Sequence, residues 1–348
     1  MAVEQYLSGL ETYVQEVLQN RVVEEAGDQL QSADMDKNQT CQVQKSVGAN
    51  LFLQTVLMIE TVVGIPGTVL GLWIFCCRTK LWKAHIIFLF NLVLADFLLL
   101  ISVPFRIDTH WRGDNWMFGP VWCRINLYML SVNRSASIAF MTVVALNRYF
   151  KVVHPHHCIS RISVTQAGGL AVLIWVSVIT LRIPLLTINL LDSKGNISLC
   201  RSFSSYDKIP LPLVVHYIAH ITEFFFPWLV LLLCSARIMY QLNKLRMGRK
   251  KVKHAIRAVA VISTVFTFCF LPSVFTGLVG LYIKAFYPTK CKAYNMWINA
   301  FMVCIGFTYL NSALDPVIYF FSSSTYKETL KKSLKISKKK KVKAPDNY

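Results

Sequence analysis

Two arginines stand where arginine is costly. The apolar stretch Val121–Val153 is long enough to cross a bilayer, since about 20 residues at 1.5 Å each suffice, yet it carries Arg134 near its middle and Arg148 near its far end. About four helical turns separate them, so both project from roughly one side of a helix. A guanidinium at membrane depth costs at least a few kcal/mol unless it faces a polar interior and finds an anion. The chemistry expected of Arg134 is capture of a carboxylate, for which its planar fork offers two parallel donors. Arg148, at the far end, is expected to serve as a switch.

Asp96 and Asp315 pose the converse problem, being single carboxylates in apolar windows at comparable depth. Two buried anions repel unless a cation or a proton lies between them. With Ser137, Asn311 and Ser312 offering further oxygens, they form a candidate Na⁺ site; the alternative is that one carboxyl is protonated. No other cofactor is expected. Glu223, facing the cavity from the fifth span, could pair internally with Arg134, or orient that guanidinium beside a ligand. His216 and His220, four residues apart on that span, read as pocket lining in the absence of a third metal ligand nearby.

These side chains need a membrane scaffold to hold them. The 348 residues are 54% hydrophobic and 16% charged, against roughly a quarter charged in soluble domains. Long apolar windows fall at Leu51–Cys77, Ile86–Ile107, Val121–Tyr149, Val164–Leu190, Leu211–Tyr240, Ala255–Ile283 and Asn295–Phe321. The fold class expected is an all-α membrane protein, a seven-transmembrane helix bundle with a short cytoplasmic amphipathic helix. Three regions follow: an extracellular tail over 1–50, the bundle over 51–321, and the cytoplasmic helix with a polybasic tail over 322–348. Arg78/Lys80/Lys83, Arg148/Lys151/Arg161, the run Lys244–Arg257 and the tail Lys327–Lys343 all fall on one side, which is therefore cytoplasmic. The net charge of +19 is thus explained by topology and by anionic membrane lipids, not by nucleic acid. No cleavable signal pattern precedes the first span. Asn38-Gln39-Thr40 and Asn196-Ile197-Ser198 are glycosylation sequons on the outer side, and Cys41, Cys123, Cys200 and Cys291 fall on that side too.

The chain resembles the rhodopsin-like (class A) G-protein-coupled receptors from Leu51 to Lys335. The residues that carry the resemblance are Asp96 in LVLAD, Cys123, Asn147-Arg148-Tyr149, Trp175, Pro227, Cys269-Phe270-Leu271-Pro272, and Asn311-Ser312-Ala313-Leu314-Asp315-Pro316-Val317-Ile318-Tyr319. It departs from the family pattern at Thr68, Asn147, Phe270 and Asp315, where Asn, an acid, Trp and Asn are usual. Within the family it is similar to the branch of hydroxycarboxylic acid and oxoeicosanoid receptors, through Met129–Ser137, Lys151–His157, Leu199–Ser204, Glu223–Pro227 and Phe307–Ser312. Arg106 with Asp108, Asn147, and the lack of an arginine in Ser273–Ile283 look more like the oxoeicosanoid receptor.

The resemblance implies a plasma-membrane receptor with an extracellular N-terminus that couples to a heterotrimeric G protein of the inhibitory class. Its ligand would be a small carboxylate or lipid, either an oxidised fatty acid or a hydroxycarboxylic acid, bound by Arg134 and Tyr309. Arg106, Glu223, Ser202 and His220 complete the expected ligand site. Arg148, Tyr149, Pro272 and Tyr319 form the expected G-protein switch. A Cys123–Cys200 bridge is implied as well, which leaves Cys41 and Cys291 for a second. A retinal pigment would need a lysine between Asn295 and Phe321, where there is none. No nucleophile–base pair speaks for an enzyme. The rival is a chemokine or peptide receptor, which the acidic N-terminal segment would suit.

Overall fold

The computed structural model describes residues 46–79, 82–194, 197–200, 211–245, 250–287, 289–323 and 325–332. Among them, seven helices are long and apolar enough to cross a membrane. They are α1 (Gly48–Arg78), α2 (Ala84–Trp111), α3 (Gly119–Val153), α4 (Val164–Thr187), α5 (Leu211–Leu245), α6 (Lys250–Phe286) and α7 (Cys291–Ser322). A short α8 over residues 325–332 follows. The end bearing Cys123 is the outer end in the orientation that the basic loops imply.

At Gly64–Gly67 the first span widens locally. Pro66 lacks an N–H and its ring crowds the preceding turn, so residues Glu60–Gly64 open into a π-turn. Gly67 lies so close to α7 that a Cβ there would sit 2.7 Å from the Pro316 ring; this contact clamps α1 against α7. Ser163 starts α4 with a capping box, accepting from the Gln166 N–H while the Gln166 side chain accepts from Ser163 N–H.

α3 is the central column and α4 the peripheral one: 61% of the apolar window of α3 is buried, against 22% for α4. Phe224, Phe266 and Phe270 stack through the core between α5 and α6, with ring centroids 5.5 and 5.3 Å apart. The large side chains that stay exposed, such as Leu173, Val176, Phe226 and Leu233, cover the faces of α4 and α5 that a bilayer would wet.

Outside the helices, β1 (Leu191–Lys194) pairs antiparallel with β2 (Ile197–Cys200), Leu191 opposite Cys200. Three ties hold this hairpin at the outer end: the Cys123–Cys200 disulfide, the Trp116 N–H donating to the Ser198 carbonyl at 2.7 Å, and the Ser198 N–H donating to Asn115 Oδ1 at 3.0 Å.

Candidate functional site

Of the arginines in the outer half of the bundle, Arg106, Arg134 and Arg182 bear on the candidate site, and the structure uses them differently. Arg182 of α4 is wholly buried. Its Nε and Nη2 donate to Ser135 Oγ at 3.1 and 2.8 Å, Nη1 donates to His216 Nδ1 at 2.8 Å, and Nη2 also pairs with Glu223 Oε2. Ser135 Oγ donates in turn to the same carboxylate oxygen at 2.7 Å. The ion pair that the sequence left open between Arg134 and Glu223 is thus made by Arg182 instead. Arg106 is committed elsewhere, with Nε donating to Asn126 Oδ1 at 2.8 Å and Nη1 to the Cys200 carbonyl at 3.4 Å. It joins α2, α3 and β2.

Arg134 has no such partners. Its Nε is buried without an acceptor among the described residues. Its electrostatic neighbours are Arg182, Glu223 and Tyr309, and Glu223 is already engaged. His220 is buried against this pair of arginines, with Nδ1 unbonded. Tyr309 packs over Leu53, Leu57, Leu99 and Val103 where α1, α2 and α7 meet. Ser202 lies outside the described residues.

From His220 a chamber of about 610 Å³, counting the space at its mouth, extends between α5, α6 and α7. Val274, Leu278, Leu281, Ile298 and Phe301 make its walls apolar, and Lys284 lies at its rim. The outer site therefore combines an unanswered cation with an adjoining greasy compartment.

At mid-depth the charge is reversed. Asp96 and Asp315 face each other, both wholly buried. Glu60 of α1, equally buried, is a third carboxylate in electrostatic reach of both. Its Oε2 accepts the Ala313 N–H at 3.1 Å. Asp96 accepts from Tyr319 Oη at 2.6 Å, and Asn311 Nδ2 reaches Asp315 at 3.4 Å. Even so, Glu60 Oε1, Asp96 Oδ1, Asp315 Oδ1, Ser137 Oγ and Asn311 Oδ1 are buried with no hydrogen-bond partner, and Ser312 lies beside Asp96. Among the described residues no arginine, lysine or histidine forms an ion pair with any of the three acids. Glu60 was missed in the sequence, although a solitary acid inside an apolar window is the signal that found Asp96.

The inner end is closed by Arg148, whose Nη2 donates to the Ser322 carbonyl at the foot of α7. Neighbouring Asn147 is buried with its Oδ1 unbonded. Tyr149 Oη lies 3.2 Å from His154 Nε2, and Pro272 lies inside α6. Tyr319 and Tyr326 pack with Phe75, their centroids 5.9 Å from its ring, which seats the start of α8 against α1. Burial pushes the Tyr326 phenol up to about 12, so it stays neutral in this contact. Of the outer cysteines, Cys123 and Cys200 are joined and Cys291 is disulfide-bonded. Cys41, like the sequons at Asn38 and Asn196, lies outside the described residues.

Residues 67–319 match the pattern of the family described as 7 transmembrane receptor (rhodopsin family). The chain is 42% identical to human hydroxycarboxylic acid receptor 2 over 276 residues, covering 79% of this chain and 75% of that one. It is 38% identical to human oxoeicosanoid receptor 1 over 287 residues, 82% of this chain and 73% of the relative. A mouse 12-(S)-hydroxy-5,8,10,14-eicosatetraenoic acid receptor is 32% identical over 286 residues, 81% and 88% of the two chains.

Proposed function

This chain belongs to the rhodopsin family of seven-transmembrane receptors, and on that footing we propose that it answers an anionic carboxylate, an oxidised fatty acid or hydroxycarboxylic acid, anchored by Arg134. It is a multi-pass membrane protein and, as a G-protein-coupled receptor, no enzyme. The observation that carries the reading is the state of Arg134: a guanidinium inside the bundle with no hydrogen bond among the described residues, the acid near it paired through Oε2 with Arg182, beside a largely apolar chamber. A carboxylate reaching it would form a bidentate, charge-assisted pair in a site of lowered dielectric. Tyr309 and His220 are placed to add hydrogen bonds to the same head group. Arg106 lies higher, and its existing bonds make it a gatepost at the mouth. Glu223 acts through Arg182, holding that second cation in place. The chamber behind His220 suits an aliphatic tail and favours the longer acids.

Signal transfer in this reading runs down α3 to Arg148. The bond from Arg148 to the Ser322 carbonyl ties α3 to α7. Releasing it while α6 swings about Pro272 would open a cleft between Arg148, Tyr149 and Tyr319 for a G-protein helix, with the inhibitory class the expected partner. The mid-depth cluster fits a Na⁺ ion, because Asp96, Asp315, Ser137, Asn311 and Ser312 are all oxygen donors and several are unsatisfied. A bound cation there would hold α2, α3 and α7 together. The plasma membrane, with the N-terminus outside, is the location that the basic inner loops support.

The test is a panel of carboxylic acids, from short hydroxy acids to oxidised long-chain fatty acids, run beside basic peptides against G-protein nucleotide exchange in membranes. Activation by acids, rising with chain length, is expected. Activation by peptides alone would overturn the assignment.

A further inference from the structure

A second cleft opens on the lipid-facing side of the bundle, between α3, α4 and α5. It holds about 500 Å³ and shares no lining residue with the outer chamber. Ile138, Ala139, Leu173, Ile174, Val178 and Phe226 make its walls, and Leu173 and Phe226 are 61% and 70% exposed at its rim. Four polar side chains also line it: Ser135, Ser177, Thr222 and Glu223. Three have no hydrogen-bonding capacity calling for a ligand. Ser177 and Thr222 donate back to their own helices, to the Leu173 carbonyl at 2.8 Å and the Ile218 carbonyl at 3.0 Å, and Ser135 donates to Glu223 Oε2.

Glu223 is different. Arg182 and Ser135 both bind its Oε2, Oε1 receives no hydrogen bond among the described residues, and the side chain retains 20% exposure. An acceptor at hydrocarbon depth has no water to satisfy it, so the cleft calls for a donor that arrives from the bilayer. The sign of the site narrows the choice. A fatty-acid anion would meet a carboxylate, and an ammonium would meet Arg182 just behind it; the Arg182–Glu223 pair is neutral as a unit and suits a neutral hydroxyl. The walls narrow it further, since methyl-bearing faces on Ile138, Ile174 and Val178 and the Phe226 ring favour a rigid body over a flexible acyl chain, which would lose more freedom on binding.

We propose that this cleft is a membrane-sterol site, in which the sterol hydroxyl donates to Glu223 Oε1 and the ring system lies along α4 between Ala139 and Phe226. Because Ser135 and Arg182 flank Arg134 from the other side, the same ion pair forms the partition between the sterol and the outer ligand cavity.

The experiment uses the full-length receptor in phosphatidylcholine nanodiscs with a photoreactive, alkyne-tagged sterol, and maps the labelled peptides by mass spectrometry. Labelling should concentrate on α3, α4 and α5, fall when unlabelled sterol competes, and persist when the sterol 3-methyl ether, which lacks the donor, is added instead. Ala139→Phe and Ser177→Phe, each filling the cleft, should lower labelling several-fold at an unchanged thermal midpoint. Labelling spread evenly over all lipid-facing helices, or equal competition by the ether, would overturn the proposal.

Discussion

The outer cavity and the mid-depth cluster each gather several buried charged groups, and they err in opposite directions. The outer cavity holds Arg134 and Arg182 against one acid, Glu223, and settles only one of the two cations. The cluster below holds Glu60, Asp96 and Asp315 with no cation paired to any of them among the described residues. Burying an unpaired charge is costly, so each surplus marks what the site is short of: an anion above, a cation or a shared proton below. A receptor built this way has its two excesses of charge at different depths along one helix, α3, which contributes Arg134 to the first site and Ser137, one turn further in, to the second.

The largest effect should come from removing the surplus cation. Arg134→Ala deletes one side of a buried pair, about 3–5 kcal/mol, which weakens a carboxylate agonist by roughly a hundredfold or more. Arg134→Lys should restore only part of this, because a point charge cannot reproduce the fork. Concentration–response curves at matched surface expression measure both.

The settled cation should behave in the contrary way. Arg182→Leu or Glu223→Leu alone leaves a charge unpaired and should lower the stability of the detergent-solubilised receptor by about 3–5 kcal/mol, whereas the double replacement should recover most of it. Thermal unfolding of the three variants gives the comparison. If Arg182→Leu left stability intact while abolishing agonist response, the two arginines would have to exchange roles.

How much of this contrast could be read in advance differed by element. The seven spans were legible because hydropathy fixes them: the first window, Leu51–Cys77, lies within the helix Gly48–Arg78. Arg134, Asp96 and Asp315 stood out as charges in those windows. The partner of Glu223 did not, since arginines on α3 and α4 could both reach it and the choice depends on the rotation of α4 about its axis, which a weakly patterned helix does not encode. Glu60 is a lone acid in the first window, but no motif surrounds it as LVLAD surrounds Asp96. The β1–β2 hairpin gave no signal, for Asp192, Ser193 and Lys194 are poor strand formers; its pairing is imposed by the bridge to Cys123 and by Trp116.

The lower site should give a smaller response. If Na⁺ occupies it, replacing Na⁺ by N-methylglucamine should raise agonist affinity in membranes by about tenfold, within the usual 1–3 kcal/mol of coupling between sites. Asp96→Asn should abolish the dependence. Glu60→Gln separates the readings: a third carboxylate that serves only as a proton reservoir would leave the Na⁺ effect unchanged.

Smallest of all should be the change at the inner end. Asn147 offers Arg148 no charge, so the tie to Ser322 is the restraint that remains on that side chain. Asn147→Asp should add a second and lower ligand-free nucleotide exchange by a few-fold; equal basal output in the two receptors would contradict it.

The surplus of positive charge in the outer cavity is the claim on which the rest depends, and a ligand pair that differs only in charge tests it most directly. An activating carboxylic acid and its methyl ester should be compared on the parent receptor and on Arg134→Ala in one nucleotide-exchange assay. The account predicts that the ester is far weaker than the acid on the parent, and that acid and ester converge on Arg134→Ala. Equal potency of acid and ester on the parent would show that no carboxylate reaches Arg134.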